Sequence, residues 1–324
     1  MPDGQTDRAL IEGAENETSL SAFERSVRTG LSAQPKTLEP KYFYDDAGSA
    51  LFEQITDLPE YYLTRAETEI LSTRASEMAG IIGPDAELVE LGSGASVKTR
   101  LLLSALADPG AYIPIDISAD HMEAAAKTLR ALHPGLAVRP VAADFSLPLA
   151  LPNPMTSGRR VLFFPGSTIG NLEPDEARIF LERMRHETRS DMLIIGVDLR
   201  KERHVLEAAY DDADRVTAAF NLNLLVRINR ELGGEFEIDA FKHEARYNDT
   251  AGRVEMHLVS LSDQTVAIGS FDADFKAGES IHSENSYKYT LDGFQALARE
   301  GGWKSRDVWT DSRQRFSVHL MVPA

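Results

Sequence analysis

The sequence predicts an α/β fold: a mainly parallel sheet flanked by helices, interrupted by a smaller inserted α+β domain. Two observations lead there. From residue 67 to 198, short apolar runs alternate with helix-length segments, the order that builds a parallel sheet. After residue 200 the pattern changes to period-2 strands, and helix–strand order returns after 289.

The elements follow from the chain in order. Residues 37–66 are dense in aromatic and turn residues, too apolar for a linker. Residues 67–79 are expected to be helical, and Glu-Leu-Val-Glu-Leu at 87–91 forms a buried strand. A helix over 98–107 carries Leu101, Leu102, Leu103 and Leu106. Strands follow at 111–116, 136–141, 160–164 and 191–198, with helices at 119–132 and 175–187. In the insert, 206–221 reads as one helix, and 236–246, 253–262 and 280–289 read as strands. A helix at 291–300 stops at Gly301-Gly302, and strands at 304–310 and 315–322 close the fold. The expected domains are a partly ordered leader over 1–36, a sheet domain over 37–199 and 289–324, and an insert over 200–288.

Composition narrows the function. The 324 residues carry a net charge of −17, and no basic cluster offers a footprint for phosphates. Nucleic acid and anionic membranes are therefore not expected partners. There is no cysteine, which excludes thiolate metal sites and a cysteine nucleophile. No run reaches the roughly 18 apolar residues of a spanning helix, and no signal-peptide pattern opens the chain. The expectation is a cytoplasmic monomer acting on a small molecule. No pair of histidines and carboxylates shows metal-ligand spacing, so no metal is expected. His121, His133 and His204 stand isolated and receive no role.

Glu90-Leu91-Gly92-Ser93-Gly94 ends a strand and opens a helix. Glycines there allow a tight turn and close approach of a ligand to the backbone. Asp116 ends the next strand, where a carboxylate can bind both ribose hydroxyls. Gly-X-Gly alone is a weak signal, and a packed turn is its plain alternative. Val97 and Lys98 stand where a dinucleotide site would have its third glycine. Glu90 would sit beside a cationic amino-acid end and repel a pyrophosphate. Both details favour S-adenosylmethionine over NAD. Asp144-Phe145 ends the third strand, where class I methyltransferases often place an acid and an aromatic on adenine. Asp144 could instead cap the next segment.

Two longer stretches carry a family resemblance. Lys41-Tyr-Phe-Tyr-Asp-Asp-Ala-Gly-Ser-Ala-Leu-Phe-Glu-Gln-Ile-Thr-Asp-Leu-Pro-Glu-Tyr-Tyr-Leu-Thr-Arg-Ala-Glu67 resembles the opening signature of the histidine N-alpha-methyltransferases of ergothioneine biosynthesis. Phe164-Pro-Gly-Ser-Thr-Ile-Gly-Asn171-Leu is similar to a second hallmark of that family. The resemblance implies a Rossmann-like class I methyltransferase sheet with an inserted substrate domain. It implies S-adenosylmethionine as cofactor and conversion of L-histidine to its trimethylated betaine, hercynine. The cofactor would lie against Gly92, Lys98, Asp116, Asp144 and Phe145. Tyr44 and Phe52 would surround the amino group as the catalytic pair. Asn171 and Tyr210 would hold the substrate carboxylate, and Tyr61, Glu284 and Ser286 would address the imidazole. Met256 would form an apolar wall, and Gly166 and Thr168 would line the cavity. Asn285 departs from the pattern, since an apolar residue is expected there.

Each assignment has a plain alternative. Tyr44, Phe52 and Tyr61 could be core aromatics, Glu284 a solvated strand position, Tyr210 a helix anchor and Asn171 a helix cap. Two other functions also fit: the same chemistry on another amine such as tryptophan or an indole derivative, and a binding module that keeps the nucleoside site without turnover.

Overall fold

The computed structural model describes residues 21–93, 97–117 and 119–324. The first 20 residues of the expected leader, and Gly94 of the turn, lie outside the described residues. The chain divides into two compact units. The sheet unit comprises Tyr62–Arg203, Asp249–Arg253 and Asn285–Ala324. The smaller unit comprises residues 21–61, His204–Asn248 and Val254–Glu284.

The sheet unit is the α/β fold that the alternation predicts. Its eight-stranded sheet runs Trp303–Thr310, Phe316–Pro323, Met192–Asp198, Arg160–Phe164, Glu87–Leu91, Ala111–Asp116, Ala137–Val138, and Val141–Ala142 also pairs with Ala111–Asp116. The two C-terminal strands are antiparallel and the others parallel. The central strands are buried along their whole length, which is why they read as continuous apolar runs. Val89, Ile113, Leu162, Phe164, Leu193 and Ile195 share one core with Phe180, Phe294 and Trp303. Burying each such side chain contributes about 1.5–3 kcal/mol. The Trp303 indole N–H also donates to the Leu181 carbonyl at 2.9 Å, so its one polar atom is satisfied.

Where the sheet differs from expectation, a local group explains it. The strand expected at 136–141 is two short pieces. The Arg139 N–H donates to the Tyr112 carbonyl, but Pro114 on the neighbouring strand has no N–H to return to Arg139, and the ladder breaks there. The helix expected from 67 begins at Tyr62 and runs to Ile82, so the end of the aromatic signature is helical. The helix Pro174–Thr188 starts at a capping box, in which Glu173 and Glu176 satisfy each other's backbone N–H groups.

The smaller unit contains a four-stranded sheet ordered Lys36–Thr37, Ser280–Tyr287, Arg253–Ser260, Phe241–Asn248. A hairpin, Gln264–Ile268 with Phe271–Phe275, turns at Gly269, whose φ is +57°. Sequence reading misses this hairpin, and it also misses the helices Ala22–Ser32 and Asp46–Asp57. The single helix expected at 206–221 is two, Arg203–Tyr210 and Val216–Leu232. The break is chemical. The Asp212 carboxylate accepts the N–H groups of Val216 and Thr217 at 2.8 Å each and so opens a new helix. Burial works against that charge, but the hydrogen bonds from Thr217 and Val216 outweigh it and hold Asp212 below the usual carboxylate range.

Residues 37–61 group with the insert, whereas the sequence predicts them in the sheet domain. The helix Asp46–Asp57 packs on Val216–Leu232. Asp45 fixes that contact: it caps Gly48 N–H at 2.8 Å and accepts from Asn223 at 2.8 Å and Arg230 at 2.6 Å.

Candidate active site

In the sheet unit, the proposed cofactor residues collect at the carboxyl ends of the strands. Gly92 follows Leu91 directly and has φ +68°, a conformation that favours glycine. Its N–H donates to the Ile115 carbonyl at 2.8 Å, which sets the turn beside Asp116. The Ala143 N–H donates to the Asp116 carbonyl at 2.9 Å and brings Asp144 and Phe145 to the same edge. A Cβ placed on Gly92 would stand 3.7 Å from the Phe145 ring. That ring rests edge-on against Phe164 and Phe180, with centroids at 5.8 and 6.2 Å. Gly92, Asp116, Asp144 and Phe145 are therefore together. Asp144 also caps its own turn, with Oδ1 accepting the Ser146 N–H at 2.8 Å; the cap does not use its second oxygen. A bare backbone turn, an aromatic face and two carboxylates form a donor set that fits an adenosyl group.

Glu90, near the end of the strand before the turn, is buried. Its buried carboxylate accepts both Thr99 Oγ1, at 2.6 Å, and the Tyr112 hydroxyl. Burial pushes its pKa up to about 7, against the lowering effect of those hydroxyls and of Lys98.

Lys98, Gly166 and Thr168 meet through a residue to which sequence reading gave no role. Glu67, fully buried on the helix Tyr62–Ile82, pairs with Lys98 Nζ at 2.5 Å. Both of its oxygens accept the Gly166 N–H, at 2.9 and 3.1 Å. Gly166 has φ +84°, and a Cβ there would stand 3.5 Å from Thr168 Oγ1 and 3.7 Å from Lys98 Nζ. A Cβ at Gly196 would come within 2.0 Å of Glu67 Oε1, so the strand beneath must carry glycine. The available signal was one acid within the apolar stripe Leu63, Ala66, Ile70 and Leu71.

Asn171 closes the 3₁₀ turn Thr168–Asn171. Gly170 in that turn lets the backbone approach Tyr287, where a Cβ would lie 2.8 Å from the carbonyl oxygen. Ser286 accepts a hydrogen bond from Lys288 Nζ at 2.7 Å. Lys288 pairs with buried Asp198 at 2.8 Å, and Asp198 also takes Lys201 at 2.7 Å and the Tyr62 hydroxyl at 2.7 and 2.9 Å. Burial opposes the Asp198 charge, yet Lys288 and Lys201 hold the carboxyl below its usual range. Burial pushes Lys201 down to about 8.

In the smaller unit, the proposed catalytic pair and two of the proposed substrate residues form an aromatic chain. Tyr44 meets Phe52 edge-on at 5.7 Å, Phe52 meets Tyr61 at 6.3 Å, and Tyr61 meets Tyr210 at 6.2 Å. Phe220, absent from the sequence assignment, braces Tyr44 at 5.8 Å and Phe52 at 5.9 Å. A buried polar network runs beneath this chain. His243 Nε2–H donates to the Tyr210 carbonyl at 2.7 Å, and its Nδ1 accepts from Asn221 Nδ2 at 2.8 Å. Asn221 Oδ1 accepts from Ser283 Oγ at 2.7 Å, and Ser283 lies 3.1 Å from the Met256 carbonyl. Burial lowers the His243 pKa, so the ring is a neutral link. The network ties Tyr210, Met256 and the residue preceding Glu284 into one framework. Glu284 itself is half-buried, and its carbonyl accepts from His282 Nε2 at 3.1 Å.

The departure at Asn285 has a local reason. Its Nδ2 donates to Glu173 at 2.9 Å, in a cluster with Tyr287 at 2.5 Å and Arg253 at 2.7 Å. An apolar side chain would forgo that bond.

Among the described residues, no helix is long and apolar enough to cross a membrane. A family model described as histidine-specific, SAM-dependent methyltransferase matches residues 23–323. A histidine N-alpha-methyltransferase of Mycolicibacterium smegmatis is 43% identical over 94% of this chain and 96% of its own length. Its counterpart in Mycobacterium tuberculosis is also 43% identical, over 92% of this chain and 94% of its own. Ergothioneine biosynthesis protein 1 of Neurospora crassa is 29% identical over 93% of this chain and 35% of its own length. With the adenosyl-type strand edge in place and the match running from end to end of the described fold, the chain belongs to the histidine-specific, S-adenosylmethionine-dependent methyltransferases.

Proposed function

We propose that this enzyme methylates the α-amino nitrogen of L-histidine three times to give hercynine, the entry into ergothioneine biosynthesis. The observation that carries the reading is the aromatic chain Tyr44–Phe52–Tyr61–Tyr210, which gathers residues from two separate stretches of the chain into one surface. Full-length similarity to two mycobacterial histidine N-alpha-methyltransferases supports the same acceptor.

S-adenosylmethionine supplies a methyl group on a sulfonium, ready for in-line displacement by a neutral amine. The chain's task is positioning. Asp116 takes the ribose hydroxyls, and Phe145 and Asp144 take the adenine. Gly92 leaves the backbone open to the cofactor. Lys98, held by Glu67, addresses the cofactor's amino-acid end. Asn171 and Tyr210 hold the substrate carboxylate, while Gly166 and Thr168 shape the wall near it. Tyr61, Glu284 and Ser286 bind the imidazole, and Met256 closes its apolar side. An imidazole N–H suits a carboxylate acceptor better than an indole does. Tyr44 and Phe52 face the amino group. After the third transfer the nitrogen has no proton left to donate, and aromatic faces stabilise such a cation by about 0.5–2 kcal/mol. The same reading takes the enzyme as a cytoplasmic monomer.

Titration calorimetry tests this reading. L-histidine should bind to the protein saturated with S-adenosylhomocysteine. Failure of histidine to bind the complex, with tryptophan binding instead, would replace the acceptor.

A further inference from the structure

Three side chains of the smaller unit form a cluster that methyl transfer does not use. Glu255 and His257 stand two apart on the strand Arg253–Ser260 and share a face. His282 comes from the adjacent strand Ser280–Tyr287. The two imidazoles stack with centroids 4.9 Å apart and planes 21° apart. His257 Nε2 is 3.2 Å from Glu255 Oε2. One ligand atom from each of the three residues lies within 4.8 Å of the others. Sequence spacing did not reveal the set, because sheet pairing assembles it across two strands.

Two imidazole nitrogens and one carboxylate oxygen suit a borderline divalent transition ion. Magnesium and calcium demand more oxygen ligands. Bonds of 2.0–2.1 Å in a tetrahedral site place ligand atoms roughly 3.3 Å apart. The His257–Glu255 separation of 3.2 Å already meets that, and the third ligand atom lies within 4.8 Å of both. The outer contacts are also those of ligating histidines. His282 Nε2–H donates to the Glu284 carbonyl at 3.1 Å, which leaves Nδ1 as the nitrogen for an ion. Ser280 Oγ lies 3.3 Å from His257 Nδ1, which leaves Nε2. In the stacked pair Nε2–H points at Glu255. With an ion bound, that proton moves to Nδ1 and is donated to Ser280, so the ring stays neutral.

We propose that Glu255, His257 and His282 bind one divalent transition-metal ion of the zinc type, clamping the strand Arg253–Ser260 to the strand Ser280–Tyr287. Water completes the coordination on the half-exposed side of Glu255 and His282. The second strand carries Glu284 and Ser286, so the ion would steady the elements that present them. The site stands whether or not histidine is the methyl acceptor.

The test uses untagged, full-length protein stripped with a chelator and dialysed. Zinc chloride should titrate to one equivalent with a Kd in the micromolar range or tighter, and it should raise the melting temperature. Cobalt(II) should give visible d–d absorption of four- or five-coordinate intensity. His282→Gln and Glu255→Gln should each weaken zinc binding at least tenfold and remove the melting shift. S-adenosylhomocysteine affinity, measured in parallel, reports that each variant is folded. A large excess of magnesium should not displace the zinc. Absence of saturable zinc binding by the wild type would overturn the proposal. So would equal zinc affinity in the folded His282→Gln variant, since other histidines would then carry the ion.

Discussion

The two units hold their candidate site residues by different means. In the sheet unit, Gly92, Asp116 and Phe145 are placed by backbone: a strand end, a neighbouring strand in register, and one N–H bond from Gly92 to Ile115. In the smaller unit, Tyr44, Phe52, Tyr61 and Tyr210 are placed by side chains that touch one another and Phe220. Backbone placement tolerates substitution of neighbours, because ladder hydrogen bonds do not depend on side-chain identity. Side-chain placement makes every member depend on the next.

Changes in the two units should therefore read out differently. The largest effect is expected at the buried ion cluster of the sheet unit. Asp198→Ala leaves Lys201 and Lys288 without their shared carboxylate and should cost about 3–5 kcal/mol. Urea unfolding measures it, and a loss below 1 kcal/mol would show that the lysines find other partners.

Glu90 comes next. Its folded pKa, about 7, is raised from 4.5, so its favourable contribution is complete below about 4.5 and is lost as pH rises through 7. The lost contribution is about 3 kcal/mol. Glu90→Gln should raise the melting temperature at pH 8 and leave it nearly unchanged at pH 4.5. An equal shift at both pH values would mean that the carboxyl titrates normally.

Asp116→Ala should then weaken S-adenosylhomocysteine by about 1.5–3 kcal/mol, through loss of charge-assisted ribose contacts. Calorimetry reads this, and unchanged affinity would remove Asp116 from the cofactor site.

The smallest effect should fall on the aromatic chain. Phe220→Leu should cost under about 1.5 kcal/mol in stability. It should raise the Michaelis constant for histidine while sparing cofactor affinity. If both affinities fell together, the contrast between the units would fail.

What the sequence disclosed follows the same division. The strand 87–91, the turn at Gly92 and the acid at 116 were legible because period and turn chemistry are local. The break at Asp212 was not legible, because Ala-Ala-Tyr-Asp-Asp continues a helical pattern until a carboxylate takes two N–H groups. Glu67 was visible only as an acid among apolar neighbours; its role needed the Gly166 loop from elsewhere in the chain. Phe220 and His243 act through partners remote in sequence, so no window of residues announces them. The substrate residues came from a family resemblance, since contacts between distant side chains leave no periodic trace.

Product analysis by mass spectrometry, run on wild type and Glu284→Ala with L-histidine and S-adenosylmethionine, tests the histidine pocket most directly. Wild type should accumulate trimethylated histidine. Glu284→Ala should bind S-adenosylhomocysteine as wild type does and lose about 2–3 kcal/mol of histidine binding, the range for a hydrogen bond to a charged group. Tryptophan should gain relative to histidine in the variant. Equal histidine turnover by both proteins, or no methylated histidine from the wild type, would contradict a pocket in which Glu284 selects the imidazole.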